Sequence, residues 1–349
     1  MYEIIGFCHT LGELSETGTG IDKNPCLSNE KVYQTVLKNV RARIEANPNC
    51  RVISVTQNDT NERCECEKCK AMEEAENPSG LMLTFVNRLA EDIEKDYPDV
   101  KLLTFAYRYT RTPPKTIKAR DNVLIWLCSI ECCFYHTLYD PSCEKNTEFV
   151  ADIAEWANYC EHMYVWDYVT SYRFFSYPFP NLMVLRQNLA FFVDRMATGI
   201  YEEGGYLQFE NGEFARLRSY LLGKLMWDPY MTEEEYNRLM NEFLEDYYGA
   251  GWQYIREFID LTSTSLETCM GIYEEITPDS FSVQADYLSE CFDRAIAAAT
   301  DNETRRHCAL SALQMDALRT KGGYDSRGLR QKLYDAGVRY LSEANPITF

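Results

Sequence analysis

The chain has 349 residues, 46% apolar and 13% aromatic, which is enough for a large core and excludes a disordered chain. Its formal charge of −19 and isoelectric point near 4.7 oppose binding to nucleic acids or anionic membranes, because like charges repel. We find neither a long apolar run nor a signal-peptide pattern, so we expect a cytoplasmic protein with no membrane partner.

Six segments rich in β-branched and aromatic residues recur along the chain and predict β-strands. They are EIIGFCH (3–9), RVISVTQN (51–58), KLLTFAYRY (101–109), NVLIWLCSI (122–130), MYVWDYV (163–169) and TGIYEE (198–203). Helical patterns lie between them, which indicates parallel β/α units. We therefore predict an α/β fold, a (β/α) barrel of TIM type with six recognisable units over residues 1–213.

Helices are predicted where apolar residues repeat at helical spacing. One follows a Ser28 cap, a second begins near Ser79, and two more precede the fifth and sixth strands, with stripes at Phe149, Ile153 and Trp156 and at Leu182, Leu185, Leu189 and Phe192. From Phe214 onward the strand signals cease. We therefore predict an α-helical C-terminal region over residues 214–349.

The predicted strand ends carry many polar and aromatic side chains, and in parallel α/β folds such ends line the functional face. The residues that we predict to bind substrate are His9, Gln57, Asn58, Tyr107, Arg108, Tyr109, Glu131, Trp166, Tyr168 and Glu203. The alternatives are equally concrete. Trp166 could pack under a helix, and Arg108 could form a surface ion pair.

Three acidic residues end different predicted strands: Asp59, Asp167 and Glu202. Glycoside cleavage needs one carboxyl as acid and a second as base or nucleophile, so this set predicts a glycosidase site. The alternative interpretation is that these residues cap helices or form salt bridges.

The spacing C-x-C-x-x-C places Cys64, Cys66 and Cys69 within six positions, and three thiols could bind zinc with a fourth ligand. Cys26, Cys133 and His136 are the candidates for that ligand. Loop packing, a disulfide or a thiol redox role remain as alternatives. Structural zinc is the only cofactor that the sequence suggests, and the predicted hydrolysis requires none.

Together the motifs SVTQND....C.C..C, FAYRYTRTPPK, LCSIECCFYHTL, VWDYVTSY, PFPNL and GIYEEGG resemble a bacterial family described as a domain of unknown function (number 4838). That family is similar to the α-glucuronidases of glycoside hydrolase family 67 and, more distantly, to the family 20 β-hexosaminidases. The resemblance implies that the six strands are strands 3 to 8 of a barrel. It also implies that Asp59 is the acid and that Asp167 and Glu202 are bases, with Glu203 the less favoured neighbour of Glu202.

The resemblance leaves strands 1 and 2 without a counterpart, so we expect an incomplete barrel. Either the chain is a fragment, or a homo-oligomer partner or the helical region covers the open edges. We expect a glycoside hydrolase that acts on an oligosaccharide containing uronic acid, with inversion by analogy to the α-glucuronidases. The alternatives are a non-catalytic carbohydrate-binding protein on a degenerate barrel, and a zinc or thiol protein centred on the three cysteines.

Overall fold

A computed structural model describes residues 4–205, 213–320 and 327–349. The six predicted strands form one sheet in chain order, with consecutive neighbours from β1 to β5 parallel. The strands are β1 Ile4–Ile5, β2 Val52–Ser54, β3 Lys101–Ala106, β4 Val123–Cys128, β5 Met163–Tyr168 and β6 Ala197–Glu203. The prediction of parallel β/α units is confirmed for this sheet.

Helices separate the strands and then dominate the rest of the chain. They are α1 Leu11–Leu14, α2 Glu30–Ala46, α3 Glu67–Glu94, α4 Glu144–Trp156, α5 Leu185–Asp194, α6 Ala215–Trp227, α7 Glu233–Tyr248, α8 Trp252–Ser265, α9 Ala285–Ala298, α10 Asn302–Arg319 and α11 Arg327–Asp335. In the described part of the chain, every helix is too short or too polar to cross a bilayer.

The prediction that strands cease after Phe214 was wrong at the end of the chain. Strand β7, Tyr340–Ser342, pairs antiparallel with β8, Asn345–Pro346. The pairing is only two or three residues long on each side. Such a short hairpin has no room for the alternating pattern that identifies a strand in sequence.

Strand β1 is much shorter than the predicted segment, whose first residue, Glu3, lies outside the described residues. Gly6 has φ +77° and His9 has φ +51°, so the backbone leaves the extended conformation directly after Ile5. A Cβ atom on Gly6 would lie 2.7 Å from the Arg43 guanidinium. His9 therefore lies on a turn after β1 and not at the end of the strand.

Helix α3 begins at Glu67, twelve positions before the predicted start at Ser79. Asn77 interrupts it with φ 67° and ψ 164°, immediately before Pro78. The α conformation is disfavoured for a residue that precedes proline, so the sequence at this kink predicts the end of one helix and the start of another. Similarly, α2 is capped by Asn29, whose side chain accepts a hydrogen bond from Lys31 N, and not by Ser28.

The sheet is curled. Phe7 follows the edge strand β1, yet its ring centroid lies 5.4 Å from that of Tyr201 on β6, the opposite edge. In a flat sheet, five interstrand spacings would separate these strands by about 24 Å. The aromatic contact therefore requires a sheet bent into a partial barrel, as the incomplete-barrel prediction expects.

The chain divides into two compact units. The first unit comprises Met1–Ile130, Glu148–Asp167 and Asp194–Tyr201, and it contains most of the six-stranded sheet. The second comprises Glu131–Thr147, Tyr168–Val193 and Glu202–Phe349, and it contains helices α6 to α11. The boundary between residues 213 and 214 stays a prediction.

A buried ion pair organises the second unit. Glu213 and Arg218 are 2% and 3% exposed, and Arg218 Nη1 lies 2.6 Å from Glu213 Oε2. Arg218 also donates to Asn181 Oδ1 at 2.9 Å and to the Phe179 carbonyl at 3.1 Å. The guanidinium thus joins the start of α6 to the loop before α5.

Replacing one partner of this pair leaves a charge buried without compensation. We expect Arg218→Met to lower the free energy of unfolding by about 3–5 kcal/mol, measured by urea denaturation. Arg238 is the matched control, because it pairs with Glu235 and Glu242 on the exposed face of α7. Arg238→Met should cost less than about 1 kcal/mol. Equal losses in both variants would contradict the role assigned to the buried pair.

Candidate active site at the carboxyl ends of the strands

The loop after β2 is fixed by Asn58, which is fully buried. Its Oδ1 accepts a hydrogen bond from Gly12 N at 2.9 Å, and its Nδ2 donates to the Asp22 carbonyl at 2.9 Å. Its backbone N donates to Asn24 Oδ1 at 2.8 Å. A Cβ atom on Gly12 would lie 2.8 Å from Asn58 Nδ2, so this close approach requires glycine. Asn58 therefore holds the loop that presents Asp59.

Gln57 joins the ends of three strands from a buried position. Its Nε2 donates to the Tyr107 carbonyl at 2.9 Å, and its Oε1 accepts from the Thr110 hydroxyl at 2.6 Å. Its carbonyl lies 2.9 Å from His9 Nδ1. The structure thus uses the Gln57 amide to position the site, while the predicted contact of Gln57 with substrate stays a prediction.

Asp59 lies at the rim, with 39% of its side chain exposed. The Tyr107 hydroxyl donates to Asp59 Oδ1 at 2.9 Å, and Arg108 Nη2 lies 3.1 Å from the same oxygen. Burial, together with the charge of Asp59, raises the pKa of Tyr107, so the phenol remains a hydrogen-bond donor at neutral pH. Both contacts are made to Oδ1, so Oδ2 is the oxygen that can face a ligand.

Arg108 and Tyr109 follow β3 in a single 3₁₀ turn, Arg108–Thr110. Arg108 has φ +50° and lies over the Tyr107 ring, with 5.0 Å between its Cζ and the ring centroid. Tyr109 packs instead under Arg63, whose Cζ lies 4.7 Å from the ring centroid. Burial raises the pKa of Tyr109. Of these two neighbours, Arg108 is the one in contact with Asp59.

An aromatic cluster covers the inner face of the curled sheet. Its members are Phe7, Phe105, Trp126, Trp166 and Tyr201, with centroid separations of 4.8–6.0 Å between contacting rings. Phe7 and Tyr201 are 40% and 37% exposed, whereas Trp166 is only 6% exposed. Of these rings, only Trp166 is among the residues predicted from the sequence. Alternation along β3, β4 and β6 could have identified Phe105, Trp126 and Tyr201, whereas Phe7 lies beyond the end of β1.

The cluster reaches Asp59 through neighbouring rings. His9 lies 5.6 Å from Phe105 and 5.9 Å from Tyr107, measured between ring centroids. The Tyr107 hydroxyl in turn donates a hydrogen bond to the Asp59 carboxylate. A series of ring contacts therefore connects the cluster to the rim carboxyl, and it passes through the buried rings of Phe105 and Tyr107.

Asp167 lies inside β5 and is 5% exposed. Its carboxylate accepts a hydrogen bond from the Ser129 hydroxyl. Because side chains alternate along a strand, Asp167 points to the face opposite Trp166 and the aromatic cluster. Its proposed catalytic role stays a prediction.

Four predicted residues belong to the second unit: Glu131, Tyr168, Glu202 and Glu203. Glu131 is exposed, and the buried Tyr168 ring lies 6.2 Å from Phe134. Along β6, alternation places Glu203 on the face of Tyr201 and Glu202 on the other face. The meeting of these residues with Asp59 stays a prediction.

The three predicted metal-binding cysteines lie together at the start of α3. Cys66 is the N-cap of this helix and Cys69 lies in its first turn. Together with Cys64 they form a group whose fourth member is Cys26, with all four sulfurs within 4.8 Å of one another. A hydrogen bond with the Ser28 hydroxyl lowers the pKa of Cys66 to about 6. Of the three candidate fourth ligands, Cys26 is the one that the structure brings here.

Comparison with known proteins gives one family and distant structural neighbours. The family model described as "Domain of unknown function (DUF4838)" matches residues 13–260. No curated protein matches the sequence of this chain. A mutant O-GlcNAc hydrolase of Thermobaculum terrenum is 11% identical with a TM-score of 0.45, and the alignment covers 89% of this chain and 69% of that one.

A second neighbour, an enzyme of glycoside hydrolase family 138 that targets pectin rhamnogalacturonan II, is 9% identical with a TM-score of 0.36. The alignment covers 88% of this chain and 50% of that enzyme. With identities this low and TM-scores under 0.5, neither structure bears on the substrate of this chain.

Removing the Asn58 amide should loosen the whole rim. We expect Asn58→Ala to lower the free energy of unfolding by about 2–4 kcal/mol, because it leaves the buried Gly12 N–H and the part-buried Asp22 carbonyl without their partner. Thermal or urea unfolding measures this change. Asn61→Ala is the control on the same loop, where the side chain is exposed, and should change stability by less than about 0.5 kcal/mol. A neutral Asn58→Ala would show that the loop does not depend on this amide.

Proposed function

This chain belongs to the DUF4838 family of domains of unknown function, and we propose that it is a glycoside hydrolase whose general acid is Asp59. The observation that carries this proposal is the setting of the Asp59 carboxyl. It is partly exposed at the strand ends, oriented by Tyr107 and Arg108 through one oxygen, and connected to the aromatic cluster through contacting rings. Fixed orientation and access to the glycosidic oxygen are requirements that a general acid shares with the other catalytic carboxylates of glycosidases.

The aromatic cluster supports a carbohydrate as the substrate. Sugar rings present apolar C–H faces that pack against aromatic rings, and Phe7 and Tyr201 expose more than a third of their surfaces. A sugar lying on Phe7 and Tyr201 would extend past His9 toward Asp59. In this proposal the aromatic cluster binds the sugar, and Asp59 at the rim acts on the glycosidic bond.

Arg108 supports an acidic sugar. A guanidinium binds carboxylates in a planar, charge-assisted arrangement, and the chain as a whole carries a formal charge of −19 that would otherwise repel a uronic acid. Arg108 is 29% exposed beside Asp59, so it can contact a ligand without leaving its ion pair. We therefore expect an oligosaccharide that contains a uronic acid.

The second carboxylate of the mechanism stays a proposal among Asp167, Glu202 and Glu203. Strand alternation favours Glu203, because it shares a face of β6 with Tyr201. An inverting reaction needs about 6.5–9.5 Å between acid and base, and a retaining one about 5–5.5 Å. The analogy with the α-glucuronidases favours inversion.

Asp59→Asn removes the ionisable proton and keeps the size of the side chain. We expect turnover of uronic-acid oligosaccharides to fall by about 10²–10⁴-fold, as measured by release of reducing ends. Asp99→Asn, in an exposed turn, is the control and should keep full activity. Activity that survives in Asp59→Asn would exclude Asp59 as the acid.

Arg108→Gln tests the preference for an acidic sugar. We expect KM for a uronic-acid substrate to rise by about 10–100-fold, because the charge-assisted hydrogen bond is lost. The neutral sugar analogue is the control: loss of the Arg108 contact with Asp59 should lower kcat for both substrates alike, whereas KM for the neutral analogue should change little. An equal rise in KM for both substrates would contradict a role for Arg108 in recognising the carboxylate.

Two observations favour a second candidate function, a non-catalytic carbohydrate-binding protein. Asp59 already forms an ion pair with Arg108, and Asp167 points away from the aromatic cluster, as in a site that has kept its platform and lost its chemistry. Wild-type protein that binds oligosaccharides without hydrolysing them, with affinity retained in Asp59→Asn, would favour this function over the hydrolase.

A further inference from the structure

A group of metal-ligating side chains in the second unit has no part in the site described above. Cys133, His136, Cys143 and Cys269 place one sulfur or nitrogen atom each within 4.8 Å of all the others. Cys133 and Cys143 are buried, and His136 and Cys269 are half-buried. Cys143 and Cys269 are 126 positions apart, so only the fold brings them together.

The separations match a tetrahedral metal site. With Zn–S near 2.3 Å and Zn–N near 2.0 Å, two ligand sulfurs lie about 3.8 Å apart and a sulfur–nitrogen pair about 3.6 Å apart. The sulfurs of Cys143 and Cys269 are 3.7 Å apart. His136 Nδ1 lies 3.3 Å from Cys133 Sγ and 3.9 Å from Cys269 Sγ. A disulfide would instead require about 2.05 Å between two sulfurs.

The surrounding hydrogen bonds hold these ligands in place. Asn146, which is fully buried, accepts from Cys133 N at 2.9 Å and donates to the His136 carbonyl at 3.0 Å. Met270 N donates to Cys133 Sγ at 3.3 Å, and Phe134 N donates to the Met270 carbonyl at 2.8 Å. Outer partners of this kind orient ligands in protein metal sites.

We propose that Cys133, His136, Cys143 and Cys269 bind one structural zinc ion. Three thiolates and an imidazole are a usual zinc ligand set, and four protein ligands complete the tetrahedron without an open position for catalysis. The ion joins the loop after β4 to the loop after α8. Its function is to fix residues 131–147 of the second unit against the loop after α8.

We propose a second, similar zinc site in the first unit on the basis of separate contacts. Cys26 Sγ lies 3.8 Å from both Cys66 Sγ and Cys69 Sγ, again the separation of two ligands on one zinc ion. Cys64 completes the group. This site would join the loop before α2 to the start of α3, next to the loop that carries Asp59.

Metal analysis of variants tests both sites. We expect wild-type protein purified without added metal to contain about two zinc ions per chain by mass spectrometry of the metal. Cys269→Ser and Cys66→Ser should each lose about one equivalent, and the double variant about two. Cys160→Ser is the matched control, since Cys160 is half-buried outside both groups, and it should keep both ions.

A second measurement remains informative if a variant fails to fold. Wild-type protein stripped of metal and titrated with cobalt(II) should show thiolate-to-metal charge-transfer absorption that saturates at about two equivalents. If the wild-type protein binds a single ion and Cys269→Ser removes it, the site in the second unit is supported and the one in the first unit is overturned. If Cys66→Ser removes that ion instead, the site in the first unit is supported and the one in the second unit is overturned. Folded wild-type protein with less than about 0.2 zinc, or an intact mass showing disulfides under non-reducing conditions, would overturn both.

Discussion

The curl of the parallel sheet is the constraint on which the candidate site depends. Side chains that follow opposite edge strands can meet only if the sheet bends, and the ring of Phe7 against Tyr201 shows that it does. The bend is lined by large aromatic side chains, which fill the inner face and leave two rings partly exposed. The same packing that closes the sheet thus supplies a surface suited to a sugar.

The buried side-chain amides of Gln57 and Asn58 position the loops around this surface. Gln57 and Asn58 read in the sequence as contacts for a ligand, because they follow a strand next to an aspartate. In the structure they satisfy backbone groups of neighbouring strand ends and loops, which leaves Asp59 and Arg108 partly exposed at the rim beside the buried Tyr107. Buried polar groups must find partners, so the most deeply placed amides become scaffold.

Sequence periodicity predicted the strands and most helices because each depends on local patterns. It failed where a single backbone conformation decides the outcome, as at Gly6, which shortens β1, and at Asn77, which kinks α3. It also failed for side chains joined by tertiary packing. Cys26 could be named as one of three candidates for the cysteine group, but nothing in the spacing chose it, and nothing linked Cys269 to Cys133.

The proposed zinc site of the first unit is adjacent in the chain to the proposed active site, since the loop that carries Asp59 leads directly into Cys64 and Cys66. A cross-link at that point would restrict the rim without taking part in the reaction. The two changes should therefore have different effects. Loss of the metal should lower the stability of the protein, whereas loss of the Asp59 carboxyl should lower turnover.

A crystal structure of the Asp59→Asn variant with a uronic-acid oligosaccharide would show whether position 59 faces the glycosidic oxygen. We expect a sugar ring on Phe7 and Tyr201, its carboxylate at Arg108, and the glycosidic oxygen within about 3.2 Å of the side chain at position 59. A sugar bound away from these rings, or a glycosidic oxygen more than about 6 Å from that side chain, would contradict this expectation.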